Sequence, residues 1–180
     1  MPKEPQSPIM QKAMELVQLT IALDKLIPEE NEYLQATRGF MLENAYIIPA
    51  KIAGVEGISL YDLQMENAAI IRKAARELSV QAGSLRFEKS INANDYILLV
   101  RNTVDDFRLL FIEWVKTFDI DNYIPDSWGL FNPPGVSPED FFKDDNGLPY
   151  DSKEKLEDYD RNYNDFLNFD DDDEDDDDKN

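Results

Sequence analysis

The sequence predicts an all-α fold: an antiparallel up-and-down four-helix bundle, then an irregular aromatic and proline-rich segment, then a disordered acidic tail. Three observations carry that expectation. Apolar residues recur at steps of three and four through four stretches between residues 8 and 119. The stretches are separated by short breaks holding proline, glycine or asparagine, and short connections make consecutive helices antiparallel neighbours. Charge is also divided, with 17 acids against 13 bases in residues 1 to 119 (net −4) and 21 acids against 5 bases in residues 120 to 180 (net −16). The expected organisation is therefore a bundle over 8–119, a docking segment over 120–150 and a tail over 151–180.

The first helix opens at Ser7 and Pro8, a capping hydroxyl followed by a proline that loses nothing at the first helical position. Met10, Ala13, Met14, Val17 and Ile21 form its stripe, widened by Leu16, Leu19, Leu23 and Leu26, and Pro28 ends it or opens the next. The second reads from about Glu29, whose first turn is crowded with acids where the helix dipole favours them. Its stripe is Leu34, Thr37, Met41, Ala45, Ile48 and Ile52, with Pro49 expected to kink it near Ala45 and Gly54 with Gly57 to terminate it.

Ser59 and Asp62 have the spacing of a capping box for a third helix, with Leu60, Leu63, Asn67, Ile70, Ile71, Ala74 and Leu78 as its stripe and an end near Leu85. Asn92 or Asn94 can cap the fourth, which carries Tyr96, Val100, Val104, Phe107, Phe111, Trp114 and Phe118. Beyond Ile120 the rhythm stops. Five prolines between Pro125 and Pro149 rule out a long helix, and Tyr123, Trp128, Phe131, Phe141 and Phe142 are too many aromatics for a solvated linker, so the segment is expected to dock on its own bundle or on a neighbouring subunit. The tail ends in nine uninterrupted acids, Asp170 to Asp178, and the bundle is expected to stand without it.

Composition excludes several chemistries. The chain has no histidine and no cysteine, so imidazole-dependent nucleophile arrangements, His-type zinc sites, thiolate metal sites and disulfides cannot be built. There is no phosphate-binding glycine loop of either common type. Two calcium-loop registers fail. Asp158, Asp160 and Asn162 lead to Tyr163 and Phe169 where glycine and glutamate are needed, and the register holding Asp144 and Asn146 begins on Phe142 and closes on Lys153. Glu29 with Glu32 lacks a matching acidic pair, Asp62 with Glu66 reads as a solvated face, and Glu43, Glu66, Glu77 and Glu113 mostly lie beside apolar stripes. The expectation is no catalytic residue, no cofactor and no metal. The amino terminus lacks a signal-peptide pattern, and no uncharged apolar run approaches the ~20 residues of a membrane span, which together predict a cytoplasmic protein.

Arg72, Lys73, Arg76, Arg86, Lys89, Arg101 and Arg108 place most of the bundle's bases on the third and fourth helices and are the candidate nucleic-acid contacts. The net charge opposes such binding, and scattered cations are also ordinary solubilising charge. Leu98, Leu99, Leu109, Leu110 and Ile112 exceed what one seam of the fourth helix can cover, so some are expected to bury against a second copy, the alternative being that residues 120 to 150 cover them within one chain and leave a monomer.

A run of residues across the second and third helices resembles a known family. Pro28, Glu29, Glu30, Tyr33, Gln35, Arg38, Ile48, Pro49, Ile52, Ala53, Glu56, Gly57, Glu77, Leu78 and Gln81 match its pattern in order. That pattern belongs to the four-helix-bundle proteins of ribosomal-RNA intervening sequences, to which the accessory variability determinant of diversity-generating retroelements is similar. Gly54 and Val55 are inserted relative to it, and Lys51 stands where asparagine is expected. The resemblance covers roughly residues 9 to 119 and implies structural roles for Arg38, Pro49, Glu56 and Gly57. It further implies a ring-like homo-oligomer, a pentamer, and a basic surface used for nucleic acid.

Overall fold

A computed structural model describes residues 6–28 and 32–143. The chain divides into two compact units, Met1–Ile124 and Pro125–Asn180. The first holds four α-helices: α1 (Pro8–Asp24), α2 (Glu32–Glu56), α3 (Tyr61–Ser84) and α4 (Asn94–Val115). Each packs on its neighbour in sequence and α4 closes on α1, the square arrangement of an up-and-down bundle. Among the described residues no helix is long and apolar enough to cross a membrane. The acidic run and the calcium-loop registers lie outside the described residues.

Local signals account for α1 and α2 well. Ser7 caps α1, its Oγ accepting from the Met10 amide at 3.4 Å, with Pro8 in the first turn. All six residues of the α2 stripe are buried. Pro49 lies inside α2, which runs on through it to Glu56. Gly57 follows immediately, yet neither it nor Gly54 takes the left-handed conformation expected of a glycine terminator; the turn closes instead through the Ile58 amide donating to the Val55 carbonyl at 2.9 Å.

The third helix departs from expectation at both its cap and its stripe. Its N-cap is Leu60, with no capping side chain, so the Ser59–Asp62 box does not form. The open donors are met from a distance: the Tyr61 amide donates to the Asn122 carbonyl at 2.8 Å, while the Asn122 side chain donates to the Ser59 carbonyl at 2.9 Å. The buried line is Ala68, Ile71, Ala75, Leu78 and Ala82 with Ala74, whereas Leu63 is 38% exposed. Small side chains let this helix face lie close to its neighbours.

Likewise α4 starts after Ala93 with no side-chain cap from Asn92 or Asn94. Ile97, not Tyr96, supplies its first core layer. From there Phe107, Phe111, Trp114 and Phe118 form a ladder with ring centroids 6.1, 5.9 and 4.8 Å apart, steps of four, three and four along one face.

Gly39 sits two turns into α2 at an exposed position, and a Cβ there would meet no heavy atom within 4 Å. Gly39→Ala is expected to stabilise the bundle by about 0.5–1 kcal/mol, roughly 1–4 °C in thermal midpoint, because alanine removes backbone freedom from the unfolded chain. A fall in midpoint would show that this face of α2 is covered.

In the second unit, Asp126 and Asn132 close a loop. The Asp126 amide donates to Asn132 Oδ1 at 2.7 Å and Asn132 Nδ2 donates to the Asp126 carbonyl at 3.0 Å. Trp128 sits at the apex of this loop and is 89% exposed within one chain, whereas Phe141 is buried. Gly129, at φ +69°, is required: a Cβ would come within 2.4 Å of Pro138 Cγ. A short 3-10 turn over Pro138–Phe142 follows, where Lys143 donates to Asp140 at 2.6 Å and, with the Ser137 amide, holds that carboxyl below its ordinary range.

Candidate functional site

Two surfaces stand out. The first is cationic and belongs to the outer side of α3. Arg72, Lys73 and Arg76 line an open groove of about 410 Å³ with Glu77, Val80 and Gln81. Directly after it, Arg86 and Arg101 line a second groove of about 300 Å³ with Ser79, Val80, Gly83, Ser84 and Phe87. Val80 borders both. Of the charged groups lining the two, five are cations and one is an acid, a local charge of +4 on a chain of net −20.

The second groove is built around Gly83. Arg86 Nε donates to the Gly83 carbonyl at 3.1 Å, which fixes that side chain at the end of α3. Arg101 reaches across from α4, and a Cβ on Gly83 would lie 3.7 Å from its Cζ. So the guanidinium of Arg101 lies on the α3 surface, at the place a side chain would otherwise fill. It has no hydrogen bond or ion pair among the described residues, and its Nε is sealed from solvent without an acceptor. Buried polar groups without partners are few in folded proteins, and each calls for an explanation.

Of the seven sequence-predicted cations, the structure thus gathers five. Lys73 also pairs with Glu77 at 3.7 Å, four residues on. Lys89 and Arg108 are exposed and line neither groove, and Arg108 lies 4.0 Å from Asp105. Sequence reading missed Val80 and Phe87, which are 71 and 82% exposed within the cationic face. The available signal was the dipeptide Arg86–Phe87 just past the end of a helix.

The second surface is apolar. Leu98, Leu109 and Ile112 are 58, 57 and 41% exposed on α4. With Asn102, Asp105 and Lys116 they fall at alternating steps of four and three, so they share one line down the outward face, opposite Val100, Val104 and Phe107. Leu99, 45% exposed, flanks that line, whereas Leu110 packs partly against the core and does not belong to it.

Among the positions that carry the family resemblance, Arg38 and Gln81 make contacts between helices. Arg38 forms a two-pronged bond with Asp24, Nε to Oδ1 at 2.6 Å and Nη2 to Oδ2 at 3.1 Å, and also donates to Gln35 at 3.3 Å. Gln81 accepts from the buried Asn44 side chain at 3.1 Å, tying α3 to α2. Pro49 is half-buried within α2, and Glu56 and Gly57 are exposed at its end. Glu43, Glu66 and Glu113 point outward and do not meet Glu77 at the bundle centre. Among the described residues no group of three or more acids is placed to hold a metal ion.

No family model matches this sequence, and no curated protein matches it. A protein of unknown function from the S23 ribosomal protein family of Bacteroides thetaiotaomicron has a similar solved structure, with a TM-score of 0.51 and 20% identity, over 61% of this chain and 99% of that one. The likeness is one of fold: both chains form the all-α bundle described above.

Proposed function

We propose that this protein is a non-enzymatic, self-associating helical bundle that serves as a binding or scaffold module in the cytoplasm. The observation that carries it is the outward line of α4, where Leu98, Leu109 and Ile112 are exposed at heptad-like spacing. Leu98 and Leu109 stand eleven residues apart, about 16 Å along the helix, a length over which two copies of one helix can pair face to face. Burying a leucine side chain stabilises association by about 1.5–3 kcal/mol. The family resemblance, with its implied homo-oligomer, supports the same reading.

Light scattering on the full chain tests it. The expected mass is a multiple of 20.8 kDa. Leu98→Glu with Leu109→Glu should return the monomer with unchanged helical circular dichroism, because both positions lie outside the core. A wild-type protein that scatters as a monomer at micromolar concentration sinks the proposal.

A second reading is supported by the paired cationic grooves: a nucleic-acid-associated accessory protein, whose acidic tail weakens binding at the basic face by its charge. Binding of labelled oligonucleotides by the full chain at low salt tests this. The affinity should fall as salt rises, since bound phosphates release counterions. No binding to any oligonucleotide removes the reading.

A further inference from the structure

Five of the bundle's cations are gathered on one face, and they are not evenly spread there. Arg72, Arg76 and Gly83 are separated by four and seven residues, so they lie in one row along α3. Arg101 lies over Gly83 and takes the third place in that row, and Arg86 continues it beyond the helix end. From Arg72 to Gly83 the row is about 16 Å long. Among the described residues none of Arg72, Arg76, Arg86 or Arg101 has an acidic partner. Beside the row stand Val80 and Phe87, the two most exposed apolar side chains of α3 and of the turn that follows it.

We propose that Arg72, Arg76, Arg101 and Arg86 hold successive phosphates of a single-stranded nucleic acid while the exposed ring of Phe87 stacks one of its bases. This rests on the nucleic-acid reading above and narrows it to single strands. A narrow row of guanidiniums tracks a backbone, and an aromatic ring beside it accepts the π-face of any base. A duplex hides its base faces and would leave Phe87 and Val80 against water or phosphate. An acidic peptide would use the cations and have no planar group for the ring. Arg101 is the best-prepared member of the row, since its guanidinium already lies against α3 at Gly83.

Fluorescence anisotropy with the full chain at low salt separates these cases. The probes are labelled oligothymidylate, an abasic strand of equal length, a duplex of equal length and oligoglutamate. Oligothymidylate should bind about tenfold more tightly than the abasic strand, the worth of one stacked base. Phe87→Ala should close that gap and leave abasic binding unchanged, while Phe87→Trp restores it; at 82% exposure neither change disturbs the core. Arg76→Gln and Arg101→Gln should weaken both strands alike and each flatten the dependence of log affinity on log salt by about 0.7.

Equal affinity for thymidylate and abasic strands, or tighter binding of the duplex, overturns the single-strand assignment and leaves the nucleic-acid reading standing. Oligoglutamate binding as tightly as thymidylate overturns it in favour of an acidic peptide. No binding to any nucleic acid overturns both.

Discussion

Phe107→Ala is expected to destabilise the bundle by about 3–5 kcal/mol, the cost of removing a core aromatic and leaving a cavity that neighbouring side chains fill only in part. Phe107 is 1% exposed in the middle of α4, surrounded by the main apolar cluster, and its ring meets Phe111 at 6.1 Å. Urea unfolding should show a lower midpoint at an unchanged slope, because the surface exposed on unfolding hardly alters. The informative control is two residues away. Leu109, on the same helix but 57% exposed, should cost no more than about 0.5 kcal/mol within a monomer when changed to alanine. Its effect should appear in the concentration dependence of assembly instead. If Phe107→Ala costs under about 1 kcal/mol and Leu109→Ala costs more, α4 is rotated from the register described here.

Breaking the Asp24–Arg38 pair is the second large effect. The two side chains are 17 and 18% exposed and meet through two bonds, so neither is fully solvated and the guanidinium geometry is used in full. Asp24 closes α1 and Arg38 lies two turns into α2, so the pair fixes how the chain turns between them. Asp24→Ala should cost about 1.5–3 kcal/mol, the range for hydrogen bonds to charged groups, since it removes both of the bonds that Asp24 accepts from the guanidinium. Arg38→Lys should recover only part of the stability, because an ammonium cannot make the fork. Chemical denaturation of the three proteins measures both. Should Asp24→Ala and Arg38→Lys each fall within about 0.5 kcal/mol of wild type, the pair is a surface contact and the turn is held by packing alone.

How far the fold could be read from the sequence depended on the size of the side chains that carry the pattern. In α2 four of the six stripe positions are leucine, methionine or isoleucine, and every expected position is buried. In α3 it is written in alanine, which counts for little in a hydrophobic rhythm, so larger residues nearby drew the reading toward Leu63 and Ile70. The same bias chose Tyr96 over Ile97 at the start of α4. Where Trp128 stands was not legible in the sequence, because its exposure within one chain follows from the loop that Asp126 and Asn132 close around it.

Four helices, their order, the Ser7–Pro8 cap and the segregation of charge follow from residues close together in the chain, since each depends on spacing or on contacts within one turn. Three other features depend on residues brought together from far apart. Asn122 caps α3 across sixty residues, Asp24 meets Arg38 across a loop, and Arg101 lies on the surface that Gly83 leaves bare. Linear spacing records a glycine and an arginine eighteen positions apart and no more. Folding turns that pair into a fixed guanidinium in a row of cations, because a missing side chain on one helix makes room for a long one from the next.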